Sequence, residues 1–87
     1  MLIDEISMRV IMRCIDIKDL PIALKYESQE MIDYFKENMS SRATQILQDE
    51  MSYLGELRKK DVEYVKNRIV KVIMELEEKG EIILPQQ

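Results

Sequence analysis

The sequence contains no histidine, and this absence excludes several kinds of function at once. Without an imidazole, the chain has no side chain whose ordinary pKa lies near neutrality, so a histidine pH switch is excluded. A Ser-His-Asp triad and a zinc site that uses histidine are excluded for the same reason.

Cysteine is almost as scarce, because Cys14 is the only one in the chain. A single cysteine cannot form an internal disulfide, and Cys14 has neither a base partner of the usual kind nor companion metal ligands. We therefore expect a reducing, cytosolic environment. Long apolar runs are absent too, so the sequence predicts neither a signal peptide nor a membrane-spanning helix.

Glycine and proline occur only twice each, whereas residues that favour helices are abundant. The composition, 46% hydrophobic and 34% charged, is typical of a soluble globular domain. A chain of 87 residues is long enough for one modest core but not for two. We therefore predict a single all-α domain over residues 1–87, with about five short helices and a longer C-terminal one.

Acidic residues outnumber basic ones by 17 to 13, which gives a formal net charge of −4. This balance argues against a nucleic-acid-binding protein, because such proteins need a basic stripe. The chain also lacks a glycine-rich phosphate loop, and none of its carboxylates is predicted on the wall of an apolar pocket. The sequence therefore predicts no enzymatic activity, no cofactor and no metal site.

The first predicted helix follows an acidic cap near its start and runs to about Ile15. Its inner face, by helical spacing, consists of Met8, Ile11, Met12 and Ile15. Ile6 and Val10 form a second apolar strip on the other side. Two interpretations fit this strip: a contact with something outside the chain, or simple tolerance of two exposed aliphatic side chains.

Three further helices follow from local signals. A short one covers residues 16–26, with its regular part beginning near Asp19 because of Pro21. The next begins at the N-cap Ser28 and packs through Met31, Ile32, Phe35 and Met39. The longest runs from about Lys59 to Lys79, ends at Gly80, and carries an apolar seam of Val62, Val65, Ile69, Val72, Ile73 and Leu76.

The stretch between Ser40 and Gly55 is an amphipathic helix with a charged outer face. Ser40 or Ser41 is expected to cap its start, and Gly55 to end it in the left-handed conformation. The inner face consists of Ala43, Leu47, Met51 and Leu54.

The outer face of this helix carries Arg42 near its start and Asp49 beyond, with Glu50 at the margin of that face. Arg42 and Asp49 project almost in line, about 10 Å apart along the axis, which is too far for a strong pair in solvent. The order of the charges is the reverse of what the helix dipole favours, so it does not serve helix stability. The simplest interpretation from the residues alone is a solvated surface.

Five short motifs occur in a fixed order along the chain. They are Ile22-Ala23-Leu24-Lys25, Glu37-Asn38-Met39-Ser40-Ser41-Arg42-Ala43, Ile46-Leu47-Gln48-Asp49-Glu50, Gly55-Glu56-Leu57-Arg58 and Leu76-Glu77-Glu78-Lys79-Gly80-Glu81-Ile82-Ile83. In order and spacing they resemble the C-terminal domain of the flagellar motor switch protein FliG. The resemblance covers nearly the whole chain.

The resemblance implies an armadillo-like right-handed superhelix and a role in the rotor of the flagellar motor. The family's functional charges fall on Lys25, Arg42, Asp49, Glu50 and Arg58. They are implied to contact the cytoplasmic loop of the stator, to generate torque and to set the direction of rotation. Other implied partners are the switch-complex proteins and neighbouring subunits of the rotor ring, at the cytoplasmic face of the inner membrane. Neither nucleic acid nor membrane insertion is implied.

Several positions depart from the family pattern. Tyr26 replaces a glycine after Lys25, Gln48 replaces an arginine, and Glu56-Leu57 replaces Pro-Val. The amino-terminal and middle domains of the family are expected to be absent from the chain. Two other classes stay open: a winged-helix nucleic-acid-binding module, in which residues 76–84 lead into a wing strand, and a generic helical adaptor.

Overall fold

Residues 3–85 are described in a computed structural model, and within them there are five α-helices and no strand. The helices are α1 (Glu5–Cys14), α2 (Asp19–Leu24), α3 (Gln29–Glu37), α4 (Ser41–Tyr53) and α5 (Lys59–Glu78). The predicted all-α fold with a longer last helix is confirmed.

Three helices begin where a short polar side chain accepts a hydrogen bond from the first turn. The Ser28 hydroxyl accepts from the Met31 N–H at 3.2 Å, and the Ser40 hydroxyl accepts from the Ala43 N–H at 3.1 Å. Asp4 caps α1 by accepting from the Ser7 N–H at 2.8 Å. The predictions of an acidic cap for α1 and of a serine cap for α3 and α4 are confirmed.

The core is built around α2, which packs against both α4 and α5. Leu20 of α2 is completely buried, and α1 closes the core by packing against α5. The predicted seam of α5 faces this core, because Val65, Ile69 and Leu76 are buried in it. A central helix of only six residues is therefore held by contacts with its neighbours rather than by its own propensity.

Two predictions about helix faces and ends are wrong. Met31, assigned to the inner face of α3, is 41% exposed, and α3 has no fully buried residue because it lies at the edge of the bundle. Gly55 does not end α4 in the left-handed conformation: α4 stops at Tyr53, and Leu54 is already extended. Gly80 does end α5 with a positive φ of 75°, as predicted.

Residues 81–85 run back along α1 without forming a strand. Ile82 enters the core, and the Ser7 hydroxyl accepts a hydrogen bond from the Ile83 N–H at 3.1 Å. The segment after α5 is thus a tether to α1 and does not form the wing of a winged helix. None of the helices within residues 3–85 combines the length and hydropathy needed to cross a membrane.

Two ion pairs attach α5 to the α2 region. Lys66 pairs with Glu27, which follows α2, and the Arg68 Nε lies 3.5 Å from a carboxylate oxygen of the nearly buried Asp19. Both pairs bring the centre of α5 against α2.

Candidate functional site

The outer face of α4 is a row of exposed charged side chains. On the inner face Leu47 is buried, and Ala43 and Met51 are half-buried. Helical geometry then turns Arg42 and Asp49 into solvent, and Glu50, at the margin of the inner face, is exposed as well. Together with Lys25 and Arg58, we refer to these residues as the charged ridge.

The three α4 charges form no ion pair within residues 3–85. Asp49 accepts one hydrogen bond from the Gln45 side-chain amide at 3.0 Å, one helical turn earlier. The amide is neutral, so that bond does not neutralise the charge of Asp49. The α4 part of the ridge therefore has the charges of Arg42, Asp49 and Glu50 free to meet a partner.

Arg58 lies at the N-cap position of α5 and is also exposed. Its Nε is 3.2 Å from the Asp61 carboxylate, three residues further along. Both side chains are more than half exposed, and a solvent-exposed pair of this kind contributes little to stability. The guanidinium of Arg58 therefore remains accessible to an acidic partner.

Lys25 differs from the other four ridge residues because its side chain is half-buried. The helical pattern placed Lys25 outward with the other ridge charges, apart from Glu50 at the margin, and for Lys25 this is wrong. Its Nζ donates a hydrogen bond to the Leu54 carbonyl oxygen at 2.7 Å, just past the end of α4. The last carbonyls of a helix lack partners within it, and a lysine ammonium is well suited to them.

Tyr26 contacts the same connection between α4 and α5. Its hydroxyl oxygen accepts a hydrogen bond from the Leu57 N–H at 2.9 Å, while the residue as a whole is 56% exposed. In the sequence, Tyr26 was notable only because it stands where the family has a glycine. Nothing local in the sequence indicates that positions 26 and 57, which are 31 residues apart, lie together.

The contacts define the order of charges along the surface. Arg42 lies at the start of α4, the Asp49 and Glu50 carboxylates follow in its second half, and the Lys25 amine is at its end. Arg58 follows after the four-residue connector 54–57. The ridge is thus positive, negative and positive again along its length.

The sequence profile of the family described as "FliG C-terminal domain" matches residues 1–84. The chain belongs to the FliG C-terminal domain family. Among curated relatives, it is 42% identical over 82 residues to the flagellar motor switch protein FliG of Thermotoga maritima and 40% identical over 80 residues to that of Helicobacter pylori. The two matches cover 94% and 92% of this chain. They cover only about a quarter of either relative, 24% and 23%.

Two crystal structures of FliG fragments from Helicobacter pylori have the same fold. One superposes with a TM-score of 0.88 at 39% identity and covers 94% of this chain and 39% of that one. The other superposes with a TM-score of 0.87 at 40% identity and covers 92% of this chain and 35% of that one. The five-helix arrangement described above is therefore the fold of the FliG C-terminal domain.

Proposed function

We propose that this chain is a rotor part of the flagellar motor switch, and that its charged ridge contacts the cytoplasmic loop of the stator to transmit torque. Family membership supports the assignment to the switch, because the relatives are named flagellar motor switch proteins. The chain corresponds to about a quarter of those relatives, and the stator contact is the part of the function that we propose for this domain.

The observation that carries the proposal is the exposure of Arg42, Asp49 and Glu50 with no ion pair among the described residues. Their order along α4 opposes the helix dipole, so the stability of the helix does not account for it. A surface that presents unneutralised charges of both signs fits a partner with a complementary charge pattern.

In the proposed contact, Asp49 and Glu50 meet basic side chains of the stator loop, while Arg42 and Arg58 meet acidic ones. Lys25 belongs to the same surface, but its amine is bound to the Leu54 carbonyl. We therefore assign the direct contact to the four exposed residues.

Exposed charge pairs suit a contact that must form and break at each step of rotation. Charges at the rim of an interface accelerate association and set its register, while each exposed pair adds less than about 1 kcal/mol to standing affinity. A stator that pushes and then releases the rotor needs both properties. Alternation of sign along the ridge also gives the stator distinct positions to engage.

The other partners that we propose for this chain are neighbouring copies in the rotor ring and the other switch-complex proteins. The corresponding location is the flagellar basal body, at the cytoplasmic face of the inner membrane. The exposed Ile6, at 74%, lies on the α1 face away from the core and is available for such a neighbour.

The direct test is swimming speed in cells that carry Asp49→Lys in the full gene. We expect a large loss of speed, because the change places a positive charge where a stator arginine or lysine binds. Glu77→Lys is the matched control: it makes the same change of charge at an exposed position of α5, about 28 Å along the helix axis from Arg58.

Circular dichroism of both variants establishes that α4 and α5 remain helical. A normal speed in the Asp49→Lys strain, or an equal loss in the Glu77→Lys strain, would contradict a specific role for the ridge.

A further inference from the structure

We propose that Tyr26, together with Lys25, is a positioning residue that clamps the connector 54–57 and thereby sets the place of Arg58 on the charged ridge. This inference rests on the proposed function, because it assigns Arg58 a contact that requires a fixed position. Tyr26 itself makes no contact with the stator in this account.

The connector needs an external support. Leu54 is extended, the open space around Gly55 contains no neighbouring atom that a Cβ would meet, and no helical hydrogen bonds hold this stretch. Within residues 3–85, the side-chain hydrogen bonds to its backbone come from two adjacent residues, Lys25 and Tyr26.

These two bonds hold the connector at both ends. The Lys25 Nζ binds the carbonyl of Leu54 at 2.7 Å, and the Tyr26 hydroxyl binds the N–H of Leu57 at 2.9 Å. The first bond fixes the exit from α4, and the second fixes the Glu56–Leu57 peptide, one residue before Arg58. A four-residue stretch held at its first and last members has little freedom left.

The support itself is rigid, because it follows directly from the most buried helix. Leu24, the last residue of α2, is only 3% exposed, and Leu20 is completely buried. The hydrogen bonds from Lys25 and Tyr26 therefore hold the connector in a fixed position relative to the core. The spacing between the acidic pair on α4 and the guanidinium of Arg58 is then set by α2, although α2 lies outside the ridge.

Tyr26→Phe tests the clamp because it removes one oxygen atom and changes no charge. We expect the Leu57 amide to exchange its hydrogen roughly fivefold faster, the effect of losing one exposed hydrogen bond. Tyr53→Phe is the matched control, since Tyr53 is the last residue of α4 and is 85% exposed. Leu57 exchange that is unchanged in Tyr26→Phe, or equally accelerated in both variants, would overturn the clamp.

Swimming speed then tests whether the clamp acts through Arg58. We expect Tyr26→Phe to lower speed when Arg58 is present and to have no further effect in an Arg58→Gln background. An equal loss in both backgrounds would mean that Tyr26 acts by another route, and no loss in either would mean that the position of Arg58 is unimportant. Both results overturn the positioning role.

The two proposals fail in different measurements. Failure of the stator contact appears in the Asp49→Lys strain, in which neither Tyr26 nor the connector is altered. Failure of the clamp appears in the Leu57 exchange rate, which does not depend on the motor.

Discussion

Single hydroxyl groups tie together parts of this chain that are far apart in sequence. Tyr34 donates to the Ile3 carbonyl at 2.9 Å and accepts from its N–H at 3.0 Å, while Ser7 accepts from Ile83 and Tyr26 accepts from Leu57. Each bond satisfies a backbone group outside the helices. None could be predicted from the sequence, because a local pattern contains no information about which distant backbone group a hydroxyl will meet.

Asp4 is the one residue whose pKa shift leads to a prediction. The Ser7 N–H and, secondly, the Ser7 hydroxyl donate to its carboxylate and lower the pKa of Asp4 below its ordinary value of 3.8. A carboxyl whose pKa is lower in the folded state stabilises the fold above its unfolded pKa. That contribution is lost as the pH falls through the folded pKa.

We expect Asp4→Asn to be less stable than the parent chain at neutral pH, with the difference shrinking below pH 3.8. Thermal melting from about pH 6 to about pH 2 measures this. Because the two proteins differ only at position 4, the difference between their melting curves isolates the contribution of the Asp4 carboxylate. Parallel stability curves over the whole range would show that the Asp4 cap does not contribute through its charge.

At the scale of whole elements, the sequence predicted the start of α4 correctly but not its end. The serine caps of α3 and α4 are local signals, since the capping side chain binds an N–H three residues later. The end of α4 is not local, because a lysine 29 positions earlier binds the carbonyl of Leu54. The glycine that the pattern favoured for this role is therefore not needed for it.

The two glycines provide a matched test of this difference. Gly80 has a φ of 75°, which an alanine adopts only with strain, so Gly80→Ala should destabilise the chain by about 1 kcal/mol. Gly55 lacks a positive φ and faces open space, so Gly55→Ala should be neutral or stabilising by up to about 1 kcal/mol.

Urea unfolding of the two glycine variants gives both free energies of unfolding directly. A destabilisation of similar size at both positions would contradict the assignment of Gly80 alone as the helix stop.

At the scale of the whole molecule, the helical spacing of the first, fourth and fifth helices predicted most of the core. The buried residues that it identified are Met8, Ile11, Ile15, Leu47, Val62, Val65, Ile69 and Leu76. What the sequence could not predict was the arrangement around α2, because six residues that include Pro21 carry too little periodicity to show that the helix lies at the centre. The position of Lys25 at the end of this buried helix is also why its side chain lies partly inside. Arg42 and Asp49 lie on the outer face of α4, which helical periodicity does predict.

Leu20 tests the central position of α2. Leu20→Ala should reduce the free energy of unfolding by about 3 kcal/mol, because the side chain is fully buried and the space it leaves cannot be filled completely. Ile46→Ala is the control on α4, where the residue is 51% exposed and a loss below about 1 kcal/mol is expected. Equal losses in urea unfolding would be inconsistent with a core centred on α2.

The central claim, that opposite charges on the ridge and the stator meet during rotation, is tested most directly by exchanging the charges of one pair. Swimming speed is measured in cells with Arg42→Glu in this protein, alone and combined with the replacement of an acidic stator-loop residue by lysine or, as control, by glutamine. The account predicts that Arg42→Glu slows swimming and that the lysine partner restores speed far more than glutamine does, because only lysine re-forms an opposite-charge pair. Recovery that is equal with both partners, or no loss from Arg42→Glu alone, would contradict it.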